Sequence, residues 1–192
     1  HRSLPLVYML VWAAWTAVLR PLAGEPVWET LERAGNYGVP LALLMLTGVP
    51  RSWRAVWVIR EQPITSPQTL GRVAVILKWT TAMLLAGHGA IAALTVSPVL
   101  GRHLESIGLP ISASSMVGWF EIALAVAIVV RPTVGLLLLA GAWKLATESL
   151  WIAAGAPVWE FVERAGSYVA PLALATLTWH TRSVPTSPVE SS

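Results

Sequence analysis

The sequence contains no cysteine, which excludes disulfides, thiolate metal sites and cysteine redox chemistry. Aspartate is missing as well, so all ten acidic residues are Glu. Charge of either sign is scarce, at 12% of residues, about half the share of an ordinary soluble domain. Walker, Rossmann, nucleophile-elbow and zinc-finger signatures are absent, so no motif supports nucleotide, hydrolase or zinc chemistry. The formal charge of +3 is spread over short connections and forms no basic run of the kind that binds nucleic acid.

What is present in abundance is apolar. Hydrophobic residues make up 55% of the 192 residues and the mean hydropathy is +0.64, the composition of an integral membrane protein. Eleven Trp fit a chain that crosses the membrane–water boundary repeatedly, since indole rings favour that layer. The expected fold is all-α: a polytopic transmembrane helix bundle of about six spans.

Six apolar segments mark those spans: 4–22, 39–49, 71–96, 114–130, 134–154 and 168–179. The second and last are about a dozen residues long, short of the roughly 20 that a bilayer core requires. Ser66-Pro67 is a helix-start signal for the third, and Arg131-Pro132 is an abrupt turn between the fourth and fifth.

The two short segments close a duplication. Residues 24–47 read GEPVWETLERAGNYGVPLALLMLT, and residues 155–178 read GAPVWEFVERAGSYVAPLALATLT. Sixteen of the 24 positions are identical at an offset of 131, an internal repeat. Trp28, Glu29, Glu32, Arg33 and Tyr37 recur as Trp159, Glu160, Glu163, Arg164 and Tyr168. Glu29 and Arg33 are four apart in the favourable acid-before-base order, as are Glu160 and Arg164. Two conformations are open for each copy. A helix starting at Pro26 or Pro157 can run through the apolar stretch and span, kinked at Pro40 or Pro171. Alternatively, a short amphipathic helix lies in the headgroup layer and a broken span follows it.

At the same offset Trp12 falls on Trp143 and Leu19 on Leu150, so the first span corresponds to the fifth. Residues 1–50 are then a partial first unit of two helices. Residues 51–70 are a cytoplasmic interfacial linker, residues 71–182 a four-helix unit, and residues 183–192 a disordered tail. The simplest expectation is two four-helix units, with the first two helices of the first preceding His1. Arg51, Arg54, Arg60 and Arg72 crowd one connection, which the positive-inside rule places in the cytoplasm. Both PVWE segments and the Arg102-His103-Glu105 loop then lie outside, in the common orientation a parallel repeat needs.

Three stretches of the second unit carry a family likeness: Ala86-Gly87-His88-Gly89, Gly118-Trp119-Phe120-Glu121 and the run from Glu160 to Leu174. Through them the chain resembles the DoxX-like family of small bacterial membrane proteins. The resemblance implies a four-helix membrane bundle in the bacterial cytoplasmic (inner) membrane. It also implies a role as a subunit of quinone-linked or other membrane redox assemblies. The chain departs from the family where a first-helix Lys is common, having Ala92 and Ala93 in that region.

The ionisable residues within the spans are the candidate site. His88, between Gly87 and Gly89, is a possible ligand for a haem- or pigment-type metal or a proton relay; the bland reading is a hydrogen bond within the bundle. With His103 assigned to a loop and His180 to the opposite face, no bis-His cofactor site is expected. A charged Lys144 at mid-span costs roughly 2.5–3.5 kcal/mol, so some of Glu121, Glu148, Glu160 and Glu163 are expected to gather around Lys144 and Arg164. Such a cluster is either a buried ion-pair network that fixes helix register or, with Tyr168, a proton or quinone site near the outer face. Ala13 and Ala17 replace Lys144 and Glu148 in the first unit, which assigns any catalytic site to the second.

Three functions follow in order. First is a non-catalytic accessory or scaffold subunit of a respiratory or photosynthetic membrane complex, with other membrane subunits and lipids as partners and no nucleic acid. Second is the membrane subunit of a quinone-linked oxidoreductase, and third a small-solute or proton transporter. No cofactor is required by the sequence; a quinone or pigment is the candidate.

Overall fold

The computed structural model describes residues 3–50, 52–57, 66–95 and 98–183, and these form helices only. The helices are α1 (Leu4–Leu22), α2 (Trp28–Glu32), α3 (Ala34–Thr47), α4 (Trp53–Trp57) and α5 (Pro67–Leu94). After these come α6 (Pro98–Ser106), α7 (Ala113–Val130), α8 (Val134–Ala153), α9 (Val158–Glu163) and α10 (Ala165–Ser183). Most of the expected linker, and the expected tail beyond Ser183, lie outside the described residues; α4 is the described part of the linker.

Local chemistry sets the boundaries. Pro67 opens α5, and the Ser66 hydroxyl accepts from the Thr69 amide, a side-chain cap for an otherwise unpaired donor. Thr133 caps α8 in the same way through the Leu136 amide. Both α1 and α8 end in one motif. Gly24 and Gly155 adopt φ of 92° and 88°. The amides of Glu25 and Ala156 return to the carbonyls of Arg20 and Trp151, and those of Gly24 and Gly155 to Pro21 and Ile152. This is a glycine C-cap of the Schellman type, built twice.

Among the described residues four helices, α1, α5, α7 and α8, are long and apolar enough to cross a membrane. The reading in which each PVWE segment continues as one helix is corrected. The chain breaks at Arg33 and at Arg164, whose ψ of 8° takes both out of the helical range, so each copy is a short helix followed by a longer one. The break precedes Gly35 and Gly166 rather than falling on them. At 1.5 Å per residue, the 14 residues of α3 reach about 21 Å, less than a bilayer core.

Small residues bring the helices together, as membrane packing favours. A Cβ on Gly89 of α5 would lie 2.6 Å from the Gly118 carbonyl oxygen of α7, and one on Gly118 would lie 2.6 Å from that of Gly89. Gly87 of α5 takes the backbone of Leu31–Glu32 in the space a Cβ would fill, and Gly38 of α3 likewise takes the Thr80 side chain of α5. α5 thereby sits among α2, α3, α7 and α10. The core includes Val73, Leu84, Leu85, Ile128, Leu137 and Ala170.

The copies are related in space as well as in sequence. α1 packs on α3 as α8 packs on α10, and α3 touches α10. Gly35 and Gly166 hold equivalent positions and lie against each other: a Cβ on either would come within 2.6 Å of the other's carbonyl carbon. This reciprocal contact marks a local pseudo-two-fold axis. Other pairs repeat: Tyr37 donates to the Thr30 carbonyl at 3.0 Å and Tyr168 to the Phe161 carbonyl at 3.3 Å. Glu29 Oε2 is 3.9 Å from Arg33 Nε, and Glu160 Oε2 is 4.0 Å from Arg164 Nη2.

Candidate functional site

The ionisable residues converge at one end of the bundle. Lys144, near the middle of α8, is 1% exposed, Glu148 on the next turn is 1% and Glu121 of α7 is 2%. Lys144 Nζ is 3.1 Å from Glu148 Oε1 and 3.4 Å from Glu121 Oε1, so it pairs both along its own helix and across to another. Trp143 Nε1 donates to Glu121 Oε1 at 3.0 Å, and Phe120 lies edge-on to the Trp143 ring at 4.7 Å.

The network continues outward through His88. Its Nε2 is 3.5 Å from Glu148 Oε1 and 3.3 Å from Glu32 Oε1, linking the second copy's acid to the first copy's. Gly87 makes this geometry available, because the close approach of α2 to α5 delivers Glu32 to the next residue on α5. Arg164 completes the chain, with Nη1 3.7 Å from Glu32 Oε1 and Nε 3.9 Å from Glu148 Oε2. Its guanidinium lies over the Trp151 ring at 3.8 Å, a cation–π contact, and His103 packs edge-on to the same ring at 4.6 Å.

These groups surround a cavity of about 290 Å³ lined by Glu29, Arg33, His88, Glu121, Lys144 and Glu148, together with Arg20, Glu32, His103, Thr147, Trp151 and Arg164, among others. That is close to the lower end of small-molecule sites, about 300 Å³. Glu148 Oε1 and Arg164 Nε are buried without a well-aligned hydrogen bond, although both are ion-paired. A smaller recess beside the pseudo-axis is lined by counterpart pairs: Glu32 and Glu163, Arg33 and Arg164, Asn36 and Ser167, with His88.

Electrostatics outside the spans follow the same neighbours. Burial, with Glu32 and Glu25 alongside, pushes the Glu29 carboxyl up to about 7, against the pull of Arg33 and Arg20. Burial also acts to raise Glu32, but His88, Arg164, Lys144 and Arg33 outweigh it and hold the carboxyl below its ordinary value. On α6, burial and then the charges of Arg164 and Arg102 push His103 down.

Of the residues expected around Lys144 and Arg164, Glu121 and Glu148 meet Lys144, and Glu148 and Glu160 meet Arg164. Glu163 is exposed on α9 and joins only the recess. Tyr37 and Tyr168 spend their hydroxyls on backbone carbonyls, and neither Trp28 nor Trp159 lines the cavity. The cavity is not confined to the second unit: Arg20, Glu29, Glu32 and Arg33 of the first unit line it too. The His103 segment, expected as a loop, is helix α6. Sequence reasoning missed Arg20, His103, Trp143, Thr147 and Trp151. Trp143, Thr147 and Trp151 lie on successive turns of α8 with Lys144 and Glu148, a face the heptad spacing displays. Nothing local distinguishes His103.

Among the described residues no group of three or more His or Glu is placed to hold a metal ion. Comparison with family models, curated proteins and solved structures finds no match.

Proposed function

We propose that the chain is a non-catalytic accessory subunit of a larger electron-transfer assembly in a bacterial cytoplasmic membrane, with its charged end at the outer face. The supporting observation is the way the buried charges satisfy one another. Glu148 alone faces Lys144, His88 and Arg164, so one carboxylate ties together α8, α5 and the break before α10. Breaking a buried pair from one side costs about 3–5 kcal/mol, enough to hold a bundle in register. The test is purification in mild detergent. The expected result is co-purifying membrane subunits at fixed stoichiometry; a chain that is always alone counts against the reading.

One observation favours the runner-up, a membrane subunit that binds a quinone in a quinone-linked oxidoreductase. Packed ion pairs need no space between them, yet a cavity of about 290 Å³ stays open among these. Its mix of donors, acceptors and the Trp151 ring suits the head group of a quinone. Absorbance of the purified assembly distinguishes the two, as does turnover of an intact assembly carrying Lys144→Met. A transport role has less support: of the buried polar residues that do not line the cavity, Ser3, Thr80, Thr81, Ser114 and Ser167, none is charged.

A further inference from the structure

Lys144, Glu121 and Glu148 stand in the cavity wall but behind its surface. Their side chains are 1–3% exposed, against 16% for Glu32, 22% for His88 and 24% for Arg164. Beyond one another, the charged atoms of this trio meet three groups among the described residues. Arg164 and His88 lie on Glu148, and the Trp143 indole lies on Glu121. An arginine in a protein keeps its proton, and an indole N–H only donates. Of the three, imidazole alone takes and releases a proton near neutral pH.

His88 is also in the right place. Its Nε2 lies between two carboxylates, 3.5 Å from Glu148 Oε1 on the sealed side and 3.3 Å from Glu32 Oε1 on the cavity side. One nitrogen carries one hydrogen, so Nε2 serves one carboxylate at a time and turns from one to the other with little movement. Glu32, like His88, lines both the cavity and the smaller recess, where Arg33, Glu163 and Arg164 also face the imidazole.

We infer that His88 is a proton gate, the route by which the sealed trio exchanges protons with water entering the cavity. Inward, a proton on Glu32 Oε1 moves to His88 Nε2, breaking O–H and forming N–H. It then moves to Glu148 Oε1, breaking N–H and forming O–H, and there trades places with a hydrogen of Lys144 Nζ, 3.1 Å away. The reverse sequence carries that hydrogen out, so the cycle leaves no charge behind. Both contacts of Nε2 shorten for transfer, as acid–base contacts do in use. The route ends at Glu121, whose other neighbour, Trp143, only donates. The cavity thus has a proton donor and acceptor backed by a buried store, suited to an occupant whose reaction releases or takes up a proton. This goes beyond the accessory-subunit reading and requires neither a partner subunit nor a quinone.

The test is hydrogen exchange at Lys144 in the full chain, held in lipid nanodiscs and followed by NMR with isotope-labelled lysine. The sequence has two lysines, Lys78 and Lys144, so Lys78 is the internal reference. His88→Gln is expected to slow exchange of the Lys144 ammonium about a hundredfold, the low end of what a positioned acid–base group contributes. Glu32→Gln is expected to slow it about tenfold, a smaller part of that contribution, since water still reaches His88 directly. In His88→Ala, imidazole in the buffer should restore the rate. Pyrazole, a ring of the same size that takes up no proton near neutral pH, should not, which separates proton transfer from a purely structural role. An unchanged Lys144 rate in His88→Gln would overturn the inference, because water would then reach the trio directly. So would an unchanged rate in Glu32→Gln, or equal rescue by the two rings. If His88→Gln disrupts the bundle and speeds exchange at both lysines, Glu32→Gln and the two-ring comparison decide.

Discussion

Gly35 touches Gly166, its own counterpart 131 residues away, with each in the place a Cβ of the other would occupy. The contact joins the starts of α3 and α10 and leaves no room for a side chain on either strand of the crossing. An alanine at either position must push two backbones apart, at roughly 1–3 kcal/mol. Gly35→Ala and Gly166→Ala are each expected to lose that much in denaturant unfolding in detergent. Gly71→Ala and Gly135→Ala, where a Cβ meets nothing within 4 Å, should be neutral or stabilising by up to about 1 kcal/mol. Equal behaviour of the two sets would refute the close crossing.

Lys144 neutralises two buried carboxylates. Lys144→Met removes the charge paired with Glu121 and one of the three that face Glu148, and should cost about 3–5 kcal/mol. The double variant Lys144→Met, Glu121→Gln removes the uncompensated carboxylate while Glu148 keeps His88 and Arg164, and should recover most of the loss, read from the same unfolding curves. A double variant no better than the single one would show that the charges are not coupled.

Glu29 gives the molecule a pH signature. Its folded value of about 7 lies above the ordinary 4.5, so the folded state favours the protonated acid. Stability from this group is therefore highest at low pH and is lost as pH rises between about 4.5 and 7. Glu29→Gln should raise the Tm relative to wild type above pH 7 and bring little change at pH 4.5. A difference that grows toward low pH would contradict the sign.

The duplicated tyrosine hydrogen bonds should have similar weight. Tyr37→Phe and Tyr168→Phe each remove one bond to a backbone carbonyl, worth about 0.5–1.5 kcal/mol. The longer Tyr168 bond is expected at the lower end. A large loss of cavity function with intact stability would instead give Tyr168 a chemical role that its geometry does not display.

Helix positions were legible where the apolar run was long enough to decide them. α1 occupies the expected 4–22, and α7 and α8 differ by a residue at one end. The breaks at Arg33 and Arg164 were not legible, because no breaker occupies those positions and the chain turns there through packing: α2 lies in the notch at Gly87. The buried trio of Lys144, Glu121 and Glu148 stood out because each is a charge inside an apolar run. Glu32 stood out only as a repeated acid; its link to His88 did not, since that depends on where α2 crosses α5. Spacing within one helix is periodic and visible; the crossing point of two helices distant in sequence is not.

A residue that meets its own repeat is what lies on the axis of a homodimer. The Gly35–Gly166 crossing thus has the form of a former subunit interface now enclosed within one polypeptide. Once the two halves are covalently joined, they are no longer obliged to stay alike. One half could take on Lys144 and Glu148 while the other kept Ala13 and Ala17, an asymmetry that an assembly of identical chains cannot encode.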